Sequence, residues 1–183
     1  MKKPQIQRLT ALLAAAVFAG SAFAVFAPNM TVEQIEAETK AQISAGATPQ
    51  QVAQQALAAG LNAGAVTAAL VTSGVNAGQA VSAMIQAGAP AATVVSSAIS
   101  AGANAQQVVQ SAIQSGAQAG TVINAAIGAG APPGQVQSGA VQAGVPANQV
   151  TALVAAAPPP PPTLSSTPPT NPANTATRSA SPS

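Results

Sequence analysis

Eight glycines, Gly46, Gly60, Gly74, Gly88, Gly102, Gly116, Gly130 and Gly144, recur at every fourteenth position, and the stretches between them follow one template. A fixed period of this kind marks a repeat architecture, in which each unit contacts only its neighbours. Every other reading of the chain has to be compatible with that ladder.

Each glycine is followed by Ala, Val or Leu, then by Asn, Thr, Pro or Gln, then by Ala or Pro, and then by a short amphipathic run. Counting from the glycine, place 6 holds Val52, Val66, Ala80, Val94, Val108, Val122, Val136 and Val150. Place 11 holds Leu57, Val71, Ile85, Ile99, Ile113, Ile127, Val141 and Ala155, with alanine at most of the intervening tenth places. That spacing is helical and lacks the alternation of a strand. One continuous helix is excluded by the punctuation. Thr48-Pro49 sets a capping residue before a proline at the first helical position, and Asn62, Asn76 and Asn104 fill the slot of Thr48. The glycine ahead of each cap suits the left-handed residue that ends the previous helix. Each unit is therefore expected to be one helix of about ten residues, about 15 Å long.

Helices of this length are marginal alone. Connections of three or four residues turn each helix roughly antiparallel to the last, so the apolar stripes are covered only by stacking, as in an α-solenoid. Small residues at the contacts let the axes approach to about 8 Å or less.

The polar face hides a longer period. Places 5, 8, 9 and 12 lie opposite the expected apolar stripe on a helical wheel. In the units that begin at Gly46, Gly74, Gly102 and Gly130, glutamine fills ten of these sixteen places: Gln51, Gln54, Gln55, Gln79, Gln86, Gln107, Gln110, Gln114, Gln135 and Gln142. In the alternate units it fills one, Gln149, and the rest are mostly Ala, Thr and Ser, such as Ala65, Ala68, Thr72, Thr93, Ser96 and Ser100. The structural repeat is thus a 28-residue helical hairpin, with a glutamine-rich layer and a layer of small residues. Small residues there serve either close packing on a concave side or close docking of another surface, a second copy included. The periodicity resembles that of helical-hairpin solenoids such as tetratricopeptide proteins, whose repeat is longer, at about 34 residues. The large Trp, Leu and Tyr packing positions of that family are missing.

Three further segments flank the repeats of residues 46–157. Residues 1–24 read as a secretory signal: basic Lys2 and Lys3, an apolar run over 9–18, and Ala22-Phe23-Ala24 as a small-x-small cleavage site, so that the mature chain begins at Val25. Residues 25–45 contain a leading helix capped by Thr31, with Gln34 completing a capping box. Residues 158–183 open on five prolines and continue as a Pro/Ser/Thr-rich tail, expected to be disordered.

Once residues 1–24 are removed, three glutamates face Lys40 and Arg178, a net charge of −1. No charged residue occurs over 41–177, so no basic patch exists for nucleic acid, and the apolar run of the signal is short for a membrane span. The chain has no His, Cys, Tyr, Trp or Asp, hence no disulfides and none of the usual general bases, thiol nucleophiles or metal ligands. Glu33 and Glu36 lie on one face of the leading helix, where they complement the positive end of its dipole. Ser and Thr abound without a base to activate them. No catalytic residue, cofactor site or metal site is expected.

The reading is an exported, non-enzymatic, uncharged helical rod, periplasmic or extracellular, that presents a surface to a protein partner or to itself. Two alternatives stay open: a subunit of a functional amyloid or matrix fibre, since Gln/Ala/Val-rich segments of low charge stack readily as β-structure, and a binder of an extended ligand such as a glycan or ice.

Overall fold

The computed structural model describes residues 26–157. The expected signal peptide, Val25 and the expected tail over 158–183 lie outside the described residues. Among the described residues there are nine α-helices and no strand: α1 (Val32–Ser44), α2 (Pro49–Ala58), α3 (Ala63–Thr72), α4 (Ala77–Gln86), α5 (Ala91–Ser100), α6 (Ala105–Gln114), α7 (Ala119–Gly128), α8 (Pro133–Gln142) and α9 (Ala147–Ala156). After α1, every helix has ten residues. None of the described helices is long and apolar enough to cross a membrane.

The ladder glycines act where the sequence puts them. Gly46 has φ +93°, donates its N–H to Ile43 O at 3.0 Å, and lets the next N–H, of Ala47, reach Gln42 O at 2.9 Å. That pair of bonds is the Schellman ending, which satisfies carbonyls the helix leaves open. All eight ladder glycines have positive φ, and the same two bonds recur at each.

Helix starts are less uniform. Thr31 and Thr48 form complete capping boxes with Gln34 and Gln51. Asn62, Asn76 and Asn104 accept backbone N–H groups of the first turn. Pro90, Gln118, Pro132 and Pro146 occupy the same slot with no side-chain cap.

Each helix packs only against helices one and two places away in the chain. Contacts two places away build two layers: α1, α3, α5, α7 and α9 in one, and α2, α4, α6 and α8 in the other. This is the two-layer solenoid of helical hairpins, and the ladder glycines stand alternately at its two kinds of turn.

The buried stripe is rotated from the expected one. Place 6 is buried in all eight units, and place 10 in seven, through Ala56, Leu70, Met84, Ala98, Ala112, Ala126 and Ala140, with Val154 half-buried. Place 7 joins them through Ala53, Thr67, Val81, Val95, Val109 and Ile123. Place 11 sits mostly on the flank instead. Ile127 is buried, but Leu57, Val71, Ile85, Ile99 and Ile113 are half-buried and Val141 is 46% exposed. A helix in a two-layer array is covered across the layers and by its lateral neighbours, so its buried arc is centred between those contacts rather than on the largest side chains.

The start of the array is closed by Phe26, 3% exposed, with Met30 packed beside it and Ile35 of α1 buried. These large side chains supply what the repeats, built from Ala and Val, do not.

Candidate functional site

Among the described residues, ionisable side chains occur only in α1. Glu33 is exposed in its first turn, where its own backbone N–H and then the Thr31 hydroxyl hold its carboxyl below the usual carboxylate range. Glu36 and Glu38 are half-buried, and Glu38 accepts a 2.9 Å bond from the buried Gln42 amide. The three carboxylates are not gathered at one pocket, and no group of three His, Cys, Asp or Glu suited to a metal occurs among the described residues.

The surfaces of the two layers are the remaining candidates. On the glutamine layer, Gln54, Gln55, Gln79, Gln86, Gln114, Gln135 and Gln142 are exposed, while Gln107 and Gln110 are half-buried. Some of this polar surface ties the repeats together. Gln107 Nε2 donates to the cap oxygen of Asn76 at 2.9 Å, and the hydroxyls of Ser115 and Ser82 are hydrogen-bonded at 2.9 Å. Both bonds join α4, or the cap before it, with α6 or the turn after it. A shallow groove of about 270 Å³ lies between α2 and α4, bordered by Gln50, Gln79, Ser82 and Gln86.

On the small-residue layer, a groove of about 360 Å³ runs along α3 between α1 and α5, lined by Glu36, Ala68, Thr72, Ser96, Ser97 and Ser100. Thr72 Oγ1 donates to Ala69 O and Ser96 Oγ to Thr93 O, each at 3.2 Å. These two hydroxyl protons are directed back into their own helices, which leaves the oxygen lone pairs of Thr72 and Ser96 toward the groove beside the hydroxyls of Ser97 and Ser100 and the carboxylate of Glu36. Apart from Glu36 at its α1 side, this surface is uncharged and built of small side chains, which allow close docking.

Place 9 does not belong to the polar face. Ala69, Ala83 and Gly139 are buried there and Ser97 and Ser111 half-buried, because place 9 faces the preceding helix of the same layer. Its partner is place 4 of that helix. A Cβ on Gly64 would stand 2.7 Å from Ser97 Oγ, and one on Gly120 would stand 3.5 Å from Leu153 Cδ2. Gly139 in turn lies against the carbonyl of Gln106. Across these contacts a glycine on one side makes room for the residue on the other. The signal was present in the sequence as glycines off the regular ladder, at Gly64, Gly78, Gly120 and Gly139.

Compared with family models, with curated proteins and with solved structures, the chain matches none.

Proposed function

We propose that the protein is an exported, non-enzymatic structural or interaction protein, a rod of stacked helical hairpins that offers an uncharged surface to a protein partner or to further copies in the cell envelope or outside the cell. The observation that carries this reading is the surface from α2 to α9. It consists of amides, hydroxyls and methyl groups without a single ionised side chain, and several of its polar groups cap helices or link repeats. A surface of this kind, with shallow grooves and no convergent charged groups, favours extended docking over capture of a small molecule. The short capped helices support a helical native state over a fibre subunit built from β-structure.

Photo-crosslinking side chains placed in living cells at Gln86 and Gln114 on one layer, and at Thr72 and Ser100 on the other, test the reading. The expected result is a discrete protein adduct from one layer, recovered from the envelope or medium. Absence of any protein adduct from both layers, or recovery of the chain in the cytoplasm alone, would overturn it.

A further inference from the structure

Helix α8 has one face that no described residue covers. α6 packs on its other side, and α7 and α9 pack on it across the layers. On the open face Gln137, Ser138, Val141 and Gln142 line a groove of about 380 Å³. Val141 is 46% exposed, whereas its counterparts Ile85 and Ile113 on α4 and α6 are half-buried. Here the face also departs from the repeat. Place 7, buried as Val81, Val95, Val109 and Ile123 in earlier units, is Gln137 on α8 and Thr151 on α9. Another helix stacked at this point would press the Gln137 amide against a surface whose backbone bonds are already made, and a buried amide without a partner is costly.

The backbone changes at the same end. Place 13 ends α8 at Ala143 with φ −77° and ψ −2°, but ends α9 at Ala157 with φ −69° and ψ 148°, the extended form that a following proline imposes. Where the ladder would set its next glycine, residue 158 opens the run of five prolines. Earlier in the array, the chain that leaves α7 turns onto the side of α6 facing away from α4 and forms α8 there. The chain that leaves α9 starts from the equivalent point beside α8.

We propose that residues 158–164 lie along the open face of α8 as an extended strap that ends the array. Seven steps in polyproline II, from Ala157 to Leu164, span about 22 Å. That covers the step of about 10 Å between neighbouring helix axes and then about 12 Å along α8, the rise from Pro133 to Val141. Leu164, the one large apolar side chain after residue 157, is thereby brought to Val141, the exposed apolar residue of the groove. With about three residues per turn, Pro158, Pro161 and Leu164 share the side turned to the helix. The five prolines bring carbonyl acceptors and no N–H, so they leave no donor unpaired against α8 and can accept from the amides of Gln137 and Gln142. The strap closes this end of the array as Phe26 and Met30 close the other, and it is the exception to the disorder expected of the tail. The contact does not depend on what the rod docks.

Because the chain has no cysteine, a Ser138→Cys thiol reports on the groove, with Gln86→Cys at an exposed site of α4 as reference. Alkylation rates are measured on the full mature chain carrying either thiol, with and without replacement of residues 158–162 by glycine and serine, and with and without Leu164→Asp. Helical circular dichroism should be the same for all, since none of these changes touches a buried helical position. Each of the two changes in the tail should speed alkylation of S138C about tenfold, the protection lost when a docked state populated about nine-tenths of the time is removed, and should leave Q86C unchanged. Equal rates for S138C with and without the five prolines overturn the proposal. A slow rate that appears only as protein concentration rises overturns it in favour of a second copy on α8. Neither result bears on the crosslinks that test the proposed function.

Discussion

Gly139 of α8 lies against the backbone carbonyl of Gln106 in α6, and a Cβ built on it would stand 3.1 Å from Val109 Cβ. Neither neighbour is the end of a flexible side chain, so the only relief is to move one helix from the other. Gly139→Ala is expected to destabilise the fold by about 1–3 kcal/mol, the usual range for overpacking. Gly134→Ala, on the open side of the same helix, is expected to stabilise it by up to about 1 kcal/mol through helix propensity alone. Urea denaturation midpoints of the two variants should move in opposite directions, and a shared direction would contradict the packing described for α6 and α8.

The ladder glycines make a different demand. Gly88 and Gly102 have φ +94° and +88°, with nothing within 4 Å of a built Cβ, so their constraint is conformational and not steric contact with neighbours. A left-handed backbone costs an L-residue about 1–2 kcal/mol, and more when the side chain is β-branched. Gly88→Val and Gly102→Val should therefore lower the melting temperature clearly. Gln86→Ala, at an exposed site, should stay within about 0.5 kcal/mol of wild type. Gln107→Ala is expected between these, because it removes the bond to Asn76, worth about 0.5–1.5 kcal/mol. Equal, negligible shifts for all four would mean that the ladder is not what ends the helices.

The ladder made the helix count legible in the sequence, because the backbone punctuation repeats without a gap from Gly46 to Gly144, and the alternating glutamine content made the two layers legible. What the wheel placed wrongly was the rotation of each helix about its axis. Large side chains at place 11, such as Ile85 and Ile99, drew the apolar stripe toward them, while the array buries place 7, including the hydroxyl of Thr67, which donates to Ala63 O at 2.7 Å. Lateral neighbours lie one whole hairpin further along the chain, and their contacts pair residues from different hairpins, Gly64 with Ser97 for instance. No rule for a single helix contains that pairing.

Helix starts differ enough along the chain to be compared within one molecule. Thr48 accepts from Gln51 N at 3.2 Å and Gln51 Oε1 accepts from Thr48 N at 3.0 Å, so Thr48→Ala loses a complete capping box and is expected to cost about 0.5–2 kcal/mol. Gln118 begins α7 with φ −65° and ψ 127° and no side-chain cap, close to the φ −65° and ψ 117° of Asn104, which does cap α6. Gln118→Asn should therefore gain an N-cap bond and stabilise the chain by about 1 kcal/mol. Thermal melts of both variants check the pair, and a loss at residue 118 would show that its backbone cannot present the shorter amide to the first turn.

Acid should act on one end of the rod. The Glu33 carboxyl is held below its ordinary range by its own backbone N–H and by the Thr31 hydroxyl. Its contribution is therefore complete above the pH at which an unfolded glutamate ionises, about 4.3, and is lost as pH falls through the lower native value. From α2 to α9 no acidic or basic side chain exists to titrate. Melting temperature is thus expected to change little between about pH 5 and 8, as the carboxylate values set that range, and to fall below it, with hydrogen exchange rising first in α1. Glu33→Gln should shrink the acid-induced fall, because it removes the proton uptake while keeping a side chain that can accept a bond from the first turn. An acid transition that begins in α5 or α6 would place the sensitive group elsewhere.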